Sequence, residues 1–297
     1  MEIIILFGGV SAERAVSLTS GKRVAAALAR EGHEITLFDY RFGGFSEDLL
    51  QTCRRADAVF LALHGGAGED GRLQAELERR GIYHYTGSAP EASRLAMDKA
   101  AAKACVAAAG VPVASGVVWQ PGEPLPPLAF PAVLKPLSGG SSVGLILAEN
   151  ATRLATFSPM EPMLCEAYLP GAEYTVGVLR GRALPVVEIC PQSGRYDYAA
   201  KYTEGATLEL CPAPMPPQAA EALQQTALLA FEALGLRDYA RLDFKCDGSG
   251  RPYFLEANTL PGMTGTSLLP LAAATAGIPF PALVLEICGM AAARKRT

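Results

Sequence analysis

At 297 residues, half of them hydrophobic and 19% charged, the chain is long enough for more than one core and too apolar for disorder. A net charge of −4 with a pI near 5.5 leaves no polycationic surface, which excludes nucleic acid as an expected partner. The seven cysteines are scattered and never spaced as CxxC, and the three histidines lack ligand spacing, so reduced thiols are expected and a zinc site is not.

The opening MEIIILFGG carries no basic leader and too short an apolar run for a signal peptide, which predicts a cytoplasmic protein. Residues 2–7 read as a strand ending in Gly8 and Gly9, and Gly21, Val24, Ala25 and Leu28 follow at helical spacing. Further strands are expected at 35–40, 58–63 and 82–85, with a helix carrying Leu73 and Leu77 before the last. That alternation predicts an open parallel sheet. An alanine-rich helix should run from Ala92 through Met97, Asp98 and Lys99 to Gly110, and the proline-rich 119–131 should be a surface connection. Short strands then cluster at 132–136, 144–147, 163–167, 174–179 and 183–190, which suits an antiparallel sheet. Residues 218–234 read as a helix and 241–258 as a hairpin around Asp247-Gly248-Ser249-Gly250. The stretch 257–285 carries no charge, but four prolines argue against a membrane span. The basic run 294–296 reads as a solvated tail.

Several segments carry chemistry. If Cys246 pairs with Arg251, strand alternation gathers Arg241, Asp243, Glu256 and Asn258 on one face of the hairpin. Such oxygen ligands suit magnesium, although an ordinary cross-strand Arg–Glu pair would look the same. Lys135 closes a strand ahead of a Gly/Ser loop, 138–144, able to fold over phosphate, while the P-loop lysine is missing. Gly8 and Gly9 fail the GxGxxG test, which argues against a nicotinamide dehydrogenase. His64 opens HGGAGEDG just after the third strand, at the carboxyl edge where open sheets bind ligands. Glu13 follows the first strand at the same edge, where complementing a helix dipole is its alternative duty. Glu166 and Glu173 flank Pro170-Gly171, and the aromatic, unperiodic 195–202 looks like a lid.

Taken together, GGVSAERAVS, HGGAGEDG, MDK at 97–99, KPLSGGSSVG from Lys135, and RLDF followed by LEANTLPGMTGTSL resemble the ATP-grasp superfamily, specifically the D-alanine:D-alanine ligases, over essentially the whole chain. DYAAKY at 197–202 matches the lid of that family. The resemblance implies an α/β and α+β fold: an N-terminal open parallel-sheet domain (1–93) that binds substrate, then two antiparallel lobes (94–176 and 177–297) that sandwich ATP. It also implies ATP-dependent joining of two D-alanines through a D-alanyl phosphate, for peptidoglycan precursors, by a cytoplasmic homodimer. Lys99 and Lys135 would hold phosphate, Glu166 and Glu173 adenine and ribose, and Leu169 the adenine pocket. Asp243, Glu256 and Asn258 would hold two magnesium ions, or manganese. Glu13 would take the first ammonium, with His64 nearby, and Ser267 the second carboxylate. Arg241 and the Gly262 N–H would stabilise an oxyanion. Tyr202, Ser142 and Glu13 would link the lid, and Lys201 would reach phosphate.

Two departures from the family pattern stand out: Ser138 and Gly139 replace a charged pair in the serine loop, and Ala15 replaces an acid after Arg14. D-alanine:D-lactate and D-alanine:D-serine ligases are the neighbouring alternatives, and a non-catalytic ATP-binding regulator is the alternative of another class.

Overall fold

A computed structural model describes residues 1–41, 44–140, 143–154, 156–192 and 205–295. The first unit is built on β1 (Glu2–Phe7), whose run of isoleucines is buried on both faces, as the central strand of a covered parallel sheet must be. It pairs in parallel with β2 (Glu34–Asp39) and β3 (Ala58–Ala62), giving the order β2-β1-β3. Helices α1 (Arg14–Arg30), α2 (Glu47–Arg55) and α3 (Arg72–Arg79) connect and cover these strands.

The strand expected at 82–85 does not form; a single bridge joins Val59 and Tyr85. The next amide of β3, Leu61 N–H, donates to the Thr86 hydroxyl and not to a backbone carbonyl, so the ladder ends there. The helix expected from Ala92 to Gly110 is two helices, α4 (Pro90–Met97) and α5 (Lys99–Ala108). Asp98 breaks them: it is extended (ψ 104°) and its carboxylate accepts from the N–H groups of Ala100 and Ala101, at 3.0 Å each. The break makes Lys99 the first residue of α5.

A four-stranded antiparallel sheet follows, β4 (Gly116–Trp119), β5 (Ala132–Pro136), β6 (Ile146–Ala148) and β7 (Met163–Ala167), in the order β4-β7-β5-β6. The second antiparallel sheet holds β8 (Glu173–Leu179), β9 (Arg182–Ala183), β10 (Val187–Pro191), β11 (Thr207–Leu210), β12 (Tyr239–Cys246) and β13 (Pro252–Asn258), in the order β11-β10-β8-β12-β13 with β9 beside β8. Helix α6 (Pro217–Ala233) packs on β8, β9 and β12.

The β12-β13 register departs from the one expected. Cys246 opposes Pro252, so the turn is one residue longer, and a bulge after Asp243 shifts the pairing again. Asp243 thereby faces Glu256 and Arg241 faces Asn258. Directly opposed residues share a face, so the four expected side chains do converge, through an irregularity that alternation alone does not show.

The uncharged stretch near the end becomes α7 (Leu268–Thr275) and α8 (Phe280–Ala293), bent by 106°; among the described residues no single helix is long and apolar enough to cross a membrane. The apolar face of α8 enters the same core as β1 and β3 through Leu283, Val284, Ile287 and Cys288. Of the basic run expected as a solvated tail, Arg294 and Lys295 are described and both are tied to neighbouring segments, although Lys295 remains exposed. Arg294 forms a two-pronged pair with Asp238 (2.8 and 2.7 Å), and Lys295 donates to the carbonyl of Ala56. The carbonyls of the helix end and of neighbouring loops supply acceptors that the sequence does not reveal.

Candidate functional site

Two adjoining cavities gather most of the expected residues. The larger, about 340 Å³, lies between the two antiparallel sheets and is lined by Lys99, Lys135, Glu166, Leu169, Glu173 and Glu256, among others. Its size is that of a small-ligand pocket. The smaller, about 100 Å³, is lined by Glu13, His64, Glu69, Arg241, Glu256, Asn258, Gly262 and Ser267. Glu256 lines both, so the boundary between the cavities is marked by an expected metal ligand. Ser142, Lys201 and Tyr202 lie outside the described residues.

Cations and carboxylates alternate in and around these cavities. Lys99 Nζ donates to the Gly139 carbonyl at 2.5 Å and lies 3.7 Å from Glu256. Lys135 Nζ lies 2.7 Å from Glu166 Oε2. Lys245, which the sequence reading did not single out, faces Glu173 in register and reaches it at 3.2 Å. Arg241 grips Asp243 with Nε and Nη2, at 2.9 and 2.8 Å, and the Thr175 hydroxyl donates to the same carboxylate at 2.6 Å. The described phosphate- or oxyanion-binding cations expected from the sequence, Lys99, Lys135 and Arg241, thus each rest against a carboxylate. An incoming anion would exchange one such partner for another, without having to strip a bare cation of water.

Asp243, Glu256 and Asn258 supply oxygen donors only, and the described residues gather no cluster of three or more His, Cys, Asp or Glu. Two carboxylates and an amide fit magnesium, which takes few protein ligands and completes its shell with phosphate and water. The Asn258 side-chain oxygen also accepts from the Leu260 N–H at 3.1 Å and so steers the chain out of β13.

The segment 260–264, which carries Gly262, is held from three sides. The Met263 N–H donates to Ser20 Oγ at 3.1 Å, Ser20 lies 3.1 Å from His64 Nε2, and His64 Nδ1 lies 2.9 Å from the Leu260 carbonyl. A carbonyl can only accept, so Nδ1 carries the proton and Ser20 donates to Nε2. Burial keeps the imidazole neutral, as that chain of bonds requires. His64 is therefore placed beside Glu13 in the small cavity, with both ring nitrogens committed to the protein. Arg23 caps the Met263 and Thr264 carbonyls and lies over the Phe280 ring, and Ser267 Oγ accepts from the Thr264 N–H at 2.9 Å. A side chain at position 262 would meet Ser267 Oγ at 2.8 Å, which accounts for glycine there.

Glu13 occupies the position before α1 without capping it, so its helix-dipole alternative gains no bond. It points across to HGGAGEDG: a side chain at Gly65, which has φ +70°, would meet Glu13 Oε2 at 2.6 Å. Next to it, Glu69 accepts from the Gly65 N–H at 2.6 Å. Burial, and then the charge of Glu13, push the Glu69 carboxyl up to about 8, so it is protonated at neutral pH. A carboxyl whose folded pKa is raised gives its full stability below the ordinary value of 4.5 and loses it as pH rises through about 8. Glu69→Gln cannot ionise, so its melting temperature relative to wild type should climb between about pH 5 and about pH 8.5. Parallel melting curves across that window would show that Glu69 is charged throughout.

The chain resembles known proteins along nearly its whole length. A family profile described as D-ala D-ala ligase C-terminus matches residues 124–288. The D-alanine–D-alanine ligase of Syntrophotalea carbinolica is 42% identical over 99% of this chain and 97% of its own, and that of Acidiphilium cryptum is 45% identical over 98% and 99%. Among solved structures, the Bacillus anthracis D-alanine–D-alanine ligase complexed with ATP superposes with a TM-score of 0.84 at 32% identity, covering 100% of this chain and 98% of that one. With a shared fold and a shared sequence along nearly its whole length, the chain belongs to the D-alanine–D-alanine ligase family.

Proposed function

We propose that this ATP-dependent D-alanine–D-alanine ligase works across the boundary between its two cavities, with the nucleotide in the larger and the amino acids in the smaller. The observation that carries the reading is the position of Glu256 on the walls of both, where a terminal phosphate and a substrate carboxylate would meet.

A carboxylate and an amine do not condense in water, because the carboxylate is a poor electrophile and its oxygen a poor leaving group. Glu13 takes the ammonium of the first D-alanine, which fixes the hand of the α-carbon and aims its carboxylate at the γ-phosphate. Lys99 and Lys135 turn from Glu256 and Glu166 to the phosphates. Attack gives D-alanyl phosphate and ADP. The amine of the second D-alanine, its carboxylate held by Ser267, then attacks the carbonyl carbon. Arg241 and the Gly262 N–H receive the charge of the tetrahedral oxyanion, and phosphate leaves as the dipeptide forms. Magnesium held by Asp243, Glu256 and Asn258, or manganese in its place, supplies neutralisation of phosphate charge. Tyr202, Ser142 and Lys201 complete the proposal as a closing lid that keeps water from the acyl phosphate. A homodimer and a cytoplasmic location belong to the same reading.

Phosphate release and dipeptide formation, measured with ATP and magnesium against D-alanine, L-alanine, D-serine and D-lactate, test it. D-alanine alone should support both, in equal amounts. Comparable release with L-alanine alone would overturn the Glu13 assignment, and faster formation of a mixed D-serine or D-lactate product would move the second site to another substrate.

A further inference from the structure

Lys103 has no part in the mechanism above, yet it is among the most buried charged side chains described, 6% exposed. It lies four residues after Lys99 on α5 and therefore on the same helix face. Its ammonium donates to Glu166 Oε1, while Lys135 holds Oε2 at 2.7 Å. Glu166 is itself 4% exposed, so two lysines share one buried carboxylate.

That arrangement costs more than packing requires. Burial drives the Lys103 pKa down, and the charge of Lys135 drives it further, against the pull of Glu166. At Glu166, burial opposes ionisation, but Lys135 and Lys103 outweigh it and keep the carboxyl below its ordinary value. A methionine would fill the same space without burying a charge. The two lysines also differ in access: Lys135 lines the nucleotide cavity and Lys103 does not. Lys135 can therefore leave Glu166 for a phosphate, whereas Lys103 stays.

We propose that Lys103 is a positioning residue for nucleotide selection: it keeps Glu166 charged and fixed while Lys135 moves to phosphate, so that the freed Oε2 accepts from the exocyclic amine of adenine. The inference rests on the reading of Glu166 as an adenine contact and of Lys135 as a phosphate contact. A charged acceptor at that place favours a base that carries an amine and repels one that carries a carbonyl. Without Lys103, the departure of Lys135 would leave a buried carboxylate unpaired, and the carboxylate would rotate or take up a proton.

The test compares ATP with inosine triphosphate, whose base presents a carbonyl where adenine has its amine, by calorimetric titration of the enzyme without D-alanine and by initial rates. Lys103→Met should weaken ATP binding by about 10-fold or more, the scale of a hydrogen bond to a charged group, and inosine triphosphate binding by less than about threefold. The loss in kcat/KM for ATP should appear in KM. Lys103→Arg should restore most of the preference. Glu166→Gln should show a similar loss, and adding Lys103→Met to it should cost little more, because both act through one contact. If Lys103→Met does not fold, Lys103→Gln gives the same reading, since it keeps an N–H donor and removes the charge. A lowered melting temperature with an unchanged ratio of the two affinities would overturn the proposal and leave Lys103 as structure only. If Glu166→Gln binds ATP as wild type does, the adenine contact itself is wrong and the proposal falls with it.

Discussion

Replacing Arg241 by Met is expected to lower kcat by about 100- to 1,000-fold, the range for removing one donor from a developing oxyanion. The structure adds a second consequence. Arg241 is 14% exposed and grips Asp243, itself 8% exposed, with two nitrogens. Without the guanidinium, the Thr175 hydroxyl is the side-chain donor to that carboxylate among the described residues. A buried charge stripped of its partner costs on the order of 3 kcal/mol, so Arg241→Met should also melt at a lower temperature. Arg241→Lys separates the effects: it keeps the charge near Asp243 and recovers much of the stability, but it lacks the planar fork and should remain slow. Steady-state rates at saturating substrates, with a thermal melt of each variant, are the measurements. A kcat within threefold of wild type for Arg241→Met would remove the residue from the reaction.

Glu256→Gln is expected to reduce turnover by at least ~100-fold while the protein folds normally, because it removes a carboxylate from the proposed metal pair and not a packing contact. The side chain is 29% exposed, and Gln keeps its shape and its capacity to accept hydrogen bonds, so the fold should tolerate the change. Titrating magnesium into the variant should not bring back the wild-type rate. Near-normal activity at saturating magnesium, with an unchanged melt, would refute the metal role.

Much of this architecture is legible in the sequence where a local pattern decides the outcome. The isoleucine run of β1, and the boundaries of β5 and β7, follow from apolar periodicity closed by glycine, proline or a change of pattern. The convergence of Arg241, Asp243, Glu256 and Asn258 is expected from alternation in a hairpin, but it is reached through a register and a bulge that alternation does not show, because the bulge depends on pairing across two strands at once. Asp98 ends a helix that composition alone would continue, although an aspartate ahead of an alanine run is a readable cap. Thr175 and Lys245 matter through partners distant in sequence, and nothing local marks them. Glu69 stands inside HGGAGEDG, but the raised pKa that sets it apart comes from burial and from Glu13, which the motif does not show. Lys103 did leave a trace, as a second lysine at helical spacing from Lys99 in an otherwise apolar helix.

The seating of α8 against β3 and α1, in the core it shares with β1, has a consequence for how the chain is made. The first sheet leaves the ribosome early, but the helix that completes its covering begins at Phe280. At ~5–20 residues per second, the interval is on the order of ten seconds or more. Throughout it, part of the apolar surface that α8 will seal has no permanent cover, and a nascent chain in that condition is a ready client for chaperones and a ready nucleus for aggregation. The sheet synthesised first is thus covered last, and the completion of its core is gated by translation of the far end of the message.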